Sequence, residues 1–497
     1  MKNERDIEGY VKWVLELEAK FPVEQWMIDG VRVWPLLRTR LNFHFFTSQQ
    51  KQAQPAEPKN PGTVAPVKRY ISLSSLLENS WALFKFILTP LKKTPVIGAD
   101  FVAHRSLFEG KLVDKYFDPI FDSIEDQHNG LIVEYQRTDG LDRNTLYKPD
   151  RIIKFYEFRE LLHILGSIAA RLATPKYELK DYDAFIKIIE SEGVNTTLYL
   201  KENVRRTLAS IRAFKWFWKK LFKKTSAKTV IGLCYYTEPL YAMNLAAREA
   251  GVTSVDLQHG GQGRQHLSYA QFTRLPSSGS YELMPHYFWC WDDSSAGIIQ
   301  EWITQLNSTH RVIQMGHPWL QYIRARKWPE LDGVKDIVLI TLQLYDISEL
   351  KDPIDDYIAA TIKLTAKELN WYVRLHPRMS HLRGALNEQL RRLGVADSVN
   401  VDAANDLPMP AILSRASVHL TKSSGSAIEA ALLGVPNVIL DEHGASRYDE
   451  YIRQGQASLY LGTDPGELAN VIRKAIAGKI NTSADLKRNW DFLLRLQ

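Results

Sequence analysis

The 497-residue chain has little cysteine and no apolar run long enough to cross a membrane. Its two cysteines, Cys234 and Cys290, exclude a disulfide framework and a cysteine-rich zinc site. The most apolar stretch, Trp81 to Leu91, is about half as long as a spanning helix and contains Lys85. The N-terminus has no apolar core of the kind that secretory signals carry. These absences predict a globular protein of the reducing cytoplasm.

The sequence signatures of metal and nucleotide chemistry are also missing. There is no HExxH, no His-x-His, no P-loop and no GxGxxG, so metal hydrolases, ATPases and dinucleotide-dependent enzymes lack their motifs here. Two carboxylate pairs, Asp292-Asp293 and Asp355-Asp356, are interpreted as solvated rather than metal-binding. We therefore predict neither a metal nor a cofactor.

The net charge of +6 is concentrated in one segment. Nine Lys and Arg and no acidic residue lie between Val204 and Lys228, which leaves the rest of the chain slightly acidic (6 − 9 = −3). This distribution argues against a nucleic-acid partner for the chain as a whole. The segment also contains five large aromatic residues: Phe214, Trp216, Phe217, Trp218 and Phe222.

A cationic, aromatic-rich helix suits the headgroup region of an anionic membrane. The basic segment therefore predicts a cytoplasmic protein that lies peripherally on the inner face of the cytoplasmic membrane. Two alternatives stay open for the helix itself: a core helix with a solvated basic side, or a nucleic-acid surface. The apolar stretch from Trp81 to Leu91, followed by Lys92 and Lys93, is a second candidate for membrane contact.

Short apolar segments alternate with helical ones along most of the chain. Predicted strands are 95–102, 131–135, 229–235, 253–257, 287–291 and 312–315, then 337–342, 371–375, 417–421 and 437–440. Strands separated by helices form parallel sheets, so two such series predict an α/β chain with two doubly wound, Rossmann-like domains. The expected segments are an N-terminal helical segment 1–47, a flexible linker 48–69, domains 70–330 and 331–466 with the basic aromatic helix at 204–228, and C-terminal helices 467–497.

The most specific local motif is TKSSGSAIEAALLGVPNVILD, Thr421 to Asp441. A strand leads through small residues into a helix N-terminus, whose free N–H groups and dipole favour an anion. The candidate phosphate-binding residues are Ser423, Ser424, Gly425 and Ser426. Glu429, one turn further, could accept hydrogen bonds from ribose or sugar hydroxyls. The alternative is that Ser-Ser-Gly only caps a helix.

A second motif, Arg374-Leu375-His376-Pro377, ends a neighbouring strand. Ligands of open parallel sheets bind outside the carboxyl ends of the strands. We therefore predict that His376 donates to a phosphate or diphosphate, with Arg374 close by. The presence of both motifs in one domain supports phosphate binding there more strongly than either motif alone.

The first half of the chain offers candidates for catalysis. His259 lies in Leu257-Gln258-His259-Gly260-Gly261 after a predicted strand, and Glu238 begins a helix after another. His259 could act as a general base or donate to a leaving phosphate, and Glu238 could act as a base or nucleophile. For Glu238 the alternative is charge complementarity with the helix N-terminus.

Taken together, LQHGG (Leu257 to Gly261), RLHP (Arg374 to Pro377) and KSSGSAIEAALLGVP (Lys422 to Pro436) resemble bacterial capsule and O-antigen glycosyltransferases of the GT-B fold. Kdo- and sialyltransferase-like enzymes of that group share the HP motif and the serine-rich loop. The resemblance extends over about Val96 to Leu461. It implies that 70–330 is an acceptor domain and 331–466 a donor domain, facing each other across an interdomain cleft.

The resemblance also implies roles for the motif residues. The donor phosphates would lie at Arg374, His376, Ser423, Ser424, Gly425 and Ser426, with Glu429 near the donor sugar or ribose. Glu238 and His259 would be the catalytic candidates, and Gln258, Gly260 and His266 would lie on the acceptor side. The implied reaction moves a sugar from a nucleotide-linked donor to a growing capsule or O-antigen polysaccharide on a lipid-linked acceptor, without a metal.

Three alternatives remain for the function. A ribofuranosyl or phosphoribosyl transferase would use phosphoribosyl pyrophosphate for the same polymers. A nucleotide-sugar 2-epimerase shares the GT-B fold and a Ser-Gly loop, and a non-catalytic assembly scaffold would need neither motif. The chain lacks the acidic DDG-type motif of polysialyltransferases, which leaves the donor open.

Overall fold

The computed structural model describes residues 6–52, 72–101, 104–124, 130–136, 145–343, 353–478 and 490–496. The chain divides into two compact units: unit 1 is Met1–Gln314 with Asn489–Gln497, and unit 2 is Met315–Arg488. The division falls upstream of the expected boundary after residue 330, because the helix Pro318–Arg324 packs against the helix Met409–Leu413 of unit 2.

Unit 1 is built around a seven-stranded parallel sheet. Its elements are α1 (Ile7–Lys20), β1 (Met27–Ile28), β2 (Val31–Arg32), α2 (Trp34–Gln52), α3 (Leu73–Leu88), β3 (Val96–Asp100), β4 (Arg105–Phe108), β5 (Lys111–Asp114), α4 (Phe117–Ser123), β6 (Leu131–Glu134), β7 (Ile152–Lys154), α5 (Arg159–Leu172), β8 (Tyr177–Glu178), α6 (Tyr182–Ser191), α7 (Lys201–Thr225), β9 (Thr229–Gly232), α8 (Glu238–Ala250), β10 (Thr253–Leu257), β11 (Tyr287–Cys290), α9 (Asp293–Gln305) and β12 (Arg311–Gln314). The sheet order is β12-β11-β10-β9-β3-β6-β7. A small antiparallel sheet, β2-β1-β8, and the hairpin β4-β5 lie outside it.

Unit 2 is built around a six-stranded parallel sheet. Its elements are α10 (Pro318–Arg324), β13 (Ile337–Thr341), α11 (Asp356–Thr365), β14 (Asn370–Arg374), α12 (Arg383–Arg392), β15 (Val399–Asn400), α13 (Asp402–Asp406), α14 (Met409–Leu413), β16 (Ala416–Thr421), α15 (Ser426–Leu432), β17 (Asn437–Ile439), α16 (Glu442–Arg447), α17 (Asp449–Arg453), β18 (Ala457–Leu459) and α18 (Pro465–Ala477). The sheet order is β15-β14-β13-β16-β17-β18.

Both sheets have the strand order of dinucleotide-binding Rossmann folds. Counted along each sheet from its first strand, β13 or β3, the order is 3-2-1-4-5-6, and unit 1 adds a seventh strand at one edge. All strand pairs within the two sheets are parallel. The predicted α/β class with two Rossmann-like doubly wound units is therefore confirmed, while the cleft between them stays a prediction.

The element boundaries follow from ordinary capping chemistry. Asp6 accepts a hydrogen bond from the Gly9 N–H (2.8 Å) and begins α1. Helix α8 has Pro239 in its first turn and ends at Gly251, whose φ of +65° suits glycine. The predicted start of α8 at Glu238 and the predicted bounds of β10 agree with the structure.

The N-terminal residues belong to the core of unit 1 and are not a separate segment. Trp26 and Trp34 are fully buried, and the indole N–H of Trp34 donates to Glu18 (2.6 Å). Arg38, also buried, pairs with the same carboxylate at 2.8 Å. The expected linker 48–69 begins inside α2, which continues to Gln52; its remaining residues lie outside the described ranges.

Helix α7 contains most of the basic aromatic segment, and four of its five large aromatic side chains face inward, whereas Trp216 is 37% exposed. Phe214, Phe217, Trp218 and Phe222 are all buried in the core of unit 1. The interpretation of these aromatics as membrane contacts is wrong, and the structure agrees with the alternative of a core helix with a basic outer side. No helix within the described ranges combines the length and the apolar character needed to cross a bilayer.

The basic side of α7 also has acidic partners that lie far away in the sequence. Arg205 and Arg212 pair with Asp29 (3.1 and 3.5 Å), and Lys215 and Lys219 pair with Glu249 (2.6 and 3.0 Å). The segment itself contains no acidic residue, but these four cations are paired with carboxylates from other parts of the chain.

We predict that Gly444→Ala destabilises unit 2. A Cβ on Gly444 would lie 1.9 Å from the carbonyl oxygen of Lys422, at the start of the serine-rich loop. Relief of this overlap must move backbone, which costs on the order of 2 kcal/mol. The midpoint of urea unfolding should fall.

The matched control is Gly384→Ala in α12, where a Cβ would meet nothing within 4 Å. Alanine favours a helix interior over glycine by about 0.5–1 kcal/mol, so this variant should unfold at the same or a higher urea concentration. Equal midpoints for the two variants would contradict the prediction.

Candidate functional site

In unit 1 the candidate site lies where the sheet changes its direction of growth. From β3 the chain adds β6 and β7 on one side, and then returns to add β9 on the other side of β3. Loops that leave two such neighbouring strands diverge, and this leaves a crevice at the carboxyl edge of the sheet. His104 follows β3, and His259 follows β10, the strand beyond β9.

The two histidines lie together with a carboxylate and a thiol. The His104 Nδ1 is 2.5 Å from the Asp100 Oδ1, and the rings of His104 and His259 are 6.2 Å apart between centroids. The Cys234 Sγ lies 3.2 Å from the His259 Nε2. The Tyr116 hydroxyl donates to the His259 carbonyl (3.2 Å). We call these five residues the histidine site.

Burial sets the protonation of this site. It lowers the pKa of His104 to about 4, and burial together with the neighbouring His104 lowers the pKa of His259 to about 4. Burial and the nearby Asp114 carboxylate raise the pKa of Asp100. Both imidazoles are therefore neutral at pH 7.

A buried set of charges supports the segment that carries His104. The Arg105 Nε donates to Glu134 (2.9 Å), and Arg151 pairs with Asp118 (3.1 Å). Burial and the Asp114 carboxylate raise the pKa of Asp118 to about 7. The Arg105 bond ties β4 to β6, and a contact of Arg105 with Asp118 (3.8 Å) ties β4 to α4, so the residue next to His104 is held from two sides.

Cys234 is a neutral group at the histidine site. Its φ of +61° is unusual for a residue other than glycine and marks a tight turn after β9. Burial raises the pKa of its thiol well above the ordinary value. Nucleophiles of this type react as thiolates, so the structure argues against a nucleophilic role for Cys234.

Glu238 does not line the histidine site. It lines a separate cavity of about 320 Å³ with Arg159, Glu160, His163 and Phe214. Burial raises the pKa of Glu238, and the neighbouring His163 and two arginines oppose the shift. The sequence treated Glu238 and His259 as equivalent catalytic candidates, and the structure assigns them to different environments.

Two of the expected acceptor-side residues, Gln258 and His266, make contacts within unit 1. The buried Gln258 donates to the Gly260 carbonyl (2.9 Å) and the Ser295 hydroxyl (3.0 Å), and its Oε1 accepts from the Trp291 N–H (2.7 Å). The ring of His266 packs beside Tyr269, 4.8 Å between centroids. Gln258 thus fixes the turn that carries His259.

In unit 2 the direction of growth changes between β13 and β16. The serine loop (residues 422–426) follows β16, and Gln343 follows β13. The Ser423 hydroxyl donates to the Gln343 Oε1 at 3.0 Å, which joins the two loops. His376 follows β14, the other neighbour of β13. His376, Gln343 and the serine loop therefore lie at the carboxyl ends of three adjacent central strands, β14, β13 and β16.

The serine residues divide into inner and outer groups. The buried Ser426 hydroxyl contacts Thr341 (2.9 Å) and the buried His419 (3.3 Å), and burial lowers the pKa of His419 to about 4. Ser424 and Gly425 are partly exposed, and a Cβ on Gly425 would meet nothing within 4 Å. Ser426 thus anchors the loop, and Ser424 and Gly425 form its open side.

Arg374 connects the RLHP strand to its surroundings. Its Nη1 donates to the carbonyls of Ala404 (2.5 Å) and Leu407 (2.7 Å). Burial lowers the pKa of Arg374 to about 10, and the nearby Glu429 carboxylate opposes this shift. The end of β14 and helix α15 are therefore within electrostatic reach of each other.

Within the described part of the chain, no three His, Cys, Asp or Glu side chains form a cluster that could hold a metal ion. Both cysteines are buried as free thiols.

No protein-family model matches this chain, and no curated protein matches it. It is similar to the solved structure of the UDP-GlcNAc 2-epimerase from Methanocaldococcus jannaschii, with 14% identity, a TM-score of 0.42, and coverage of 80% of this chain and 98% of that one.

Two further structures show the same level of similarity. The UDP-GlcNAc 2-epimerase from Neisseria meningitidis bound to UDP-GlcNAc has 12% identity and a TM-score of 0.41, with coverage of 80% and 96%. The wall teichoic acid polymerase TagF has 11% identity and a TM-score of 0.44, with coverage of 85% and 92%. These relatives are enzymes, but similarity this low assigns no activity to the present chain.

We predict that His259 makes the folded state less stable in acid. Its folded pKa of about 4 lies below the ordinary 6.5, so only the unfolded chain is protonated between these values, and stability falls as the pH drops from 6.5 towards 4. Between about pH 7.5 and about pH 5, the parent should lose up to about 2 kcal/mol more unfolding free energy than His259→Asn. Urea unfolding at both pH values measures this, and identical losses would refute it.

Proposed function

We propose that this protein is a glycosyltransferase that moves a sugar from a nucleotide-linked donor to a lipid-linked saccharide acceptor of bacterial surface polysaccharides. One observation carries the proposal. Each Rossmann-like unit has its polar motif where its sheet changes direction: the serine loop with His376 in unit 2, and the histidine site in unit 1. Phosphate recognition and proton transfer are the two tasks that sugar transfer requires.

The donor phosphates are assigned to the open side of the serine loop. Ser424 and Gly425 present a hydroxyl and an uncovered backbone, and His376 adds a donor from the neighbouring strand. Ser423 and Ser426 hold the loop through Gln343 and Thr341. Helix α15 has seven residues, so its dipole adds to these groups and does not act alone.

Glu429 and Arg374 complete the donor end of the proposal. Glu429, in the first turn of α15, is placed to accept hydrogen bonds from donor hydroxyls. Arg374 orients the strand end through its two carbonyl bonds, and its charge lies close to Glu429. The positive field of Arg374 would also favour the phosphates.

We assign His104 as the general base that deprotonates the acceptor hydroxyl. With its Nδ1–H donated to Asp100, the Nε2 of His104 has a free lone pair. It takes the hydroxyl proton as the acceptor oxygen bonds to the anomeric carbon, and the bond to the donor phosphate breaks with its electron pair leaving on phosphate. The nearby Asp114 carboxylate stabilises the imidazolium so formed. His259 lies beside this pair and provides a second neutral imidazole.

The surroundings of Glu238 suit the binding of a ligand better than they suit proton transfer at the anomeric carbon. Its cavity combines two carboxylates, a guanidinium and an imidazole with the Phe214 ring. Such a set suits a hydroxyl-rich ligand, so we assign it to the saccharide of the acceptor.

The variants that test the assignment separate chemistry from donor binding. His104→Asn should lower kcat by about 10²–10⁴-fold, because general base catalysis contributes that much, and should leave nucleotide affinity unchanged. Ser424→Ala combined with His376→Ala should weaken nucleotide binding by about tenfold or more, since two hydrogen bonds to a charged group are lost. A thermal-shift panel of CMP, UDP, GDP and phosphoribosyl pyrophosphate selects the nucleotide, and titration calorimetry gives its Kd.

Glu368→Gln, at an exposed residue just before the amino end of β14, is the control and should leave both kcat and Kd near the parent values. Transfer at the parent rate in both test variants, His104→Asn and Ser424→Ala with His376→Ala, contradicts the proposal and favours the assembly scaffold. Turnover of UDP-GlcNAc without any acceptor supports a 2-epimerase instead. Stabilisation by phosphoribosyl pyrophosphate alone supports a ribofuranosyl or phosphoribosyl transferase.

A further inference from the structure

Helix α3 exposes a continuous apolar stripe. Leu77, Trp81, Phe84 and Leu88 are each between 49% and 64% exposed. Their spacing of four, three and four residues places them along one side of the helix. Four large apolar side chains aligned on one exposed side mark a binding surface.

The opposite side of α3 holds the helix to unit 1. Phe86 is buried, and its ring lies 5.0 Å from that of Phe217 and 5.4 Å from that of Phe158. Ala82 and Leu83 pack against the same core. The exposed stripe is therefore presented by an anchored helix.

The neighbouring helix α5 carries a second stripe. Leu165, Ile168 and Leu172 are between 47% and 84% exposed and are spaced by three and four residues. Helix α3 packs against α5. The side of α5 at Gly166 lies against α7, because a Cβ there would meet the Ala209 carbonyl at 2.6 Å. We call the seven exposed residues of α3 and α5 the α3–α5 face.

Cations lie next to this face. The Lys85 Nζ is 5.5 Å from the centre of the Trp81 ring. The Lys224 Nζ donates to the Thr89 carbonyl at the end of α3 (2.7 Å), and the Lys93 Nζ donates to the Ser226 hydroxyl (2.9 Å). The sequence has no acidic residue between Glu78 and Asp100. The C-terminal ends of α3 and α7 thus form one basic rim.

We propose that the α3–α5 face docks on an anionic lipid bilayer. The apolar side chains would enter the headgroup and upper acyl region, and the basic rim would contact lipid phosphates. A second copy of the chain fits less well, because pairing two such faces would bring like charges together. We thus assign membrane contact to the exposed residues of α3 and α5 and not to the buried aromatics of α7.

This inference rests on the proposed function in one respect: the proposed acceptor is linked to a lipid. Vesicle binding is measured without donor or acceptor, and sugar transfer can be assayed with a water-soluble acceptor. Failure of one therefore leaves the other intact.

The test is flotation of the full chain with phosphatidylglycerol–phosphatidylcholine vesicles and with phosphatidylcholine alone. The parent should float with the anionic vesicles, and binding should weaken but persist in about 0.5 M salt, because salt screens only the charged part. Trp81→Gln with Leu88→Gln should reduce the bound fraction at least about tenfold. The matched control, Leu364→Gln with Leu461→Gln, removes two exposed leucines of unit 2 and should bind as the parent does.

A conservative variant tests the same contact if the double variant fails to fold. Brominated lipids should quench part of the tryptophan fluorescence of the parent, and Trp81→Phe should lose that part while it still floats. Failure of the parent to float, equal binding by both double variants, or unchanged quenching in Trp81→Phe overturns the proposal. A parent dimer in vesicle-free sedimentation that Trp81→Gln with Leu88→Gln dissociates, with no flotation, overturns it in favour of a second copy.

Discussion

The order in which strands join the two parallel sheets is the constraint on which the sites depend. In each unit the first strand receives two further strands on one side before the chain returns to its other side. Parallel strands need crossovers, so the loops at this point leave in opposite directions, and the carboxyl ends of the central strands stay uncovered. Residues distant in sequence, such as His104 and His259 or Gln343 and Ser423, meet there as a consequence. Neither pair would form if the strands were added in simple succession.

Burial then decides what these residues can do. The imidazoles of His104, His259 and His419 are all held neutral because the charged form loses its hydration in the protein interior. His104 contacts the Asp100 side chain and is partly exposed, and the proposed function uses it as a base. His419 is fully buried and enclosed by Thr341, Ser426 and Asn437, so it supports the serine loop.

Local patterns predicted the central strands and several helices because their apolar runs, proline and glycine act within a few residues, as in α8 and β10. The features that the sequence did not reveal depend on contacts between residues that lie far apart in the chain. The basic segment looked unpaired because Asp29 and Glu249, which bind four of its cations, are separated from it in sequence. His104 was not selected, although Asp100 at the end of an otherwise apolar strand, with a histidine four residues later, was a readable signal. Ser426 looked equivalent to Ser424 because only the tertiary structure shows which hydroxyl points inward.

Hydrogen–deuterium exchange of the full chain, with and without the nucleotide that stabilises it, tests the central claim most directly. If activated-donor phosphates bind where the sheet of unit 2 changes direction, amides of residues 422–428 should exchange more slowly in the complex, together with those around His376. Protection confined to the Glu238 cavity or to other segments, with the serine loop unchanged, would contradict the account.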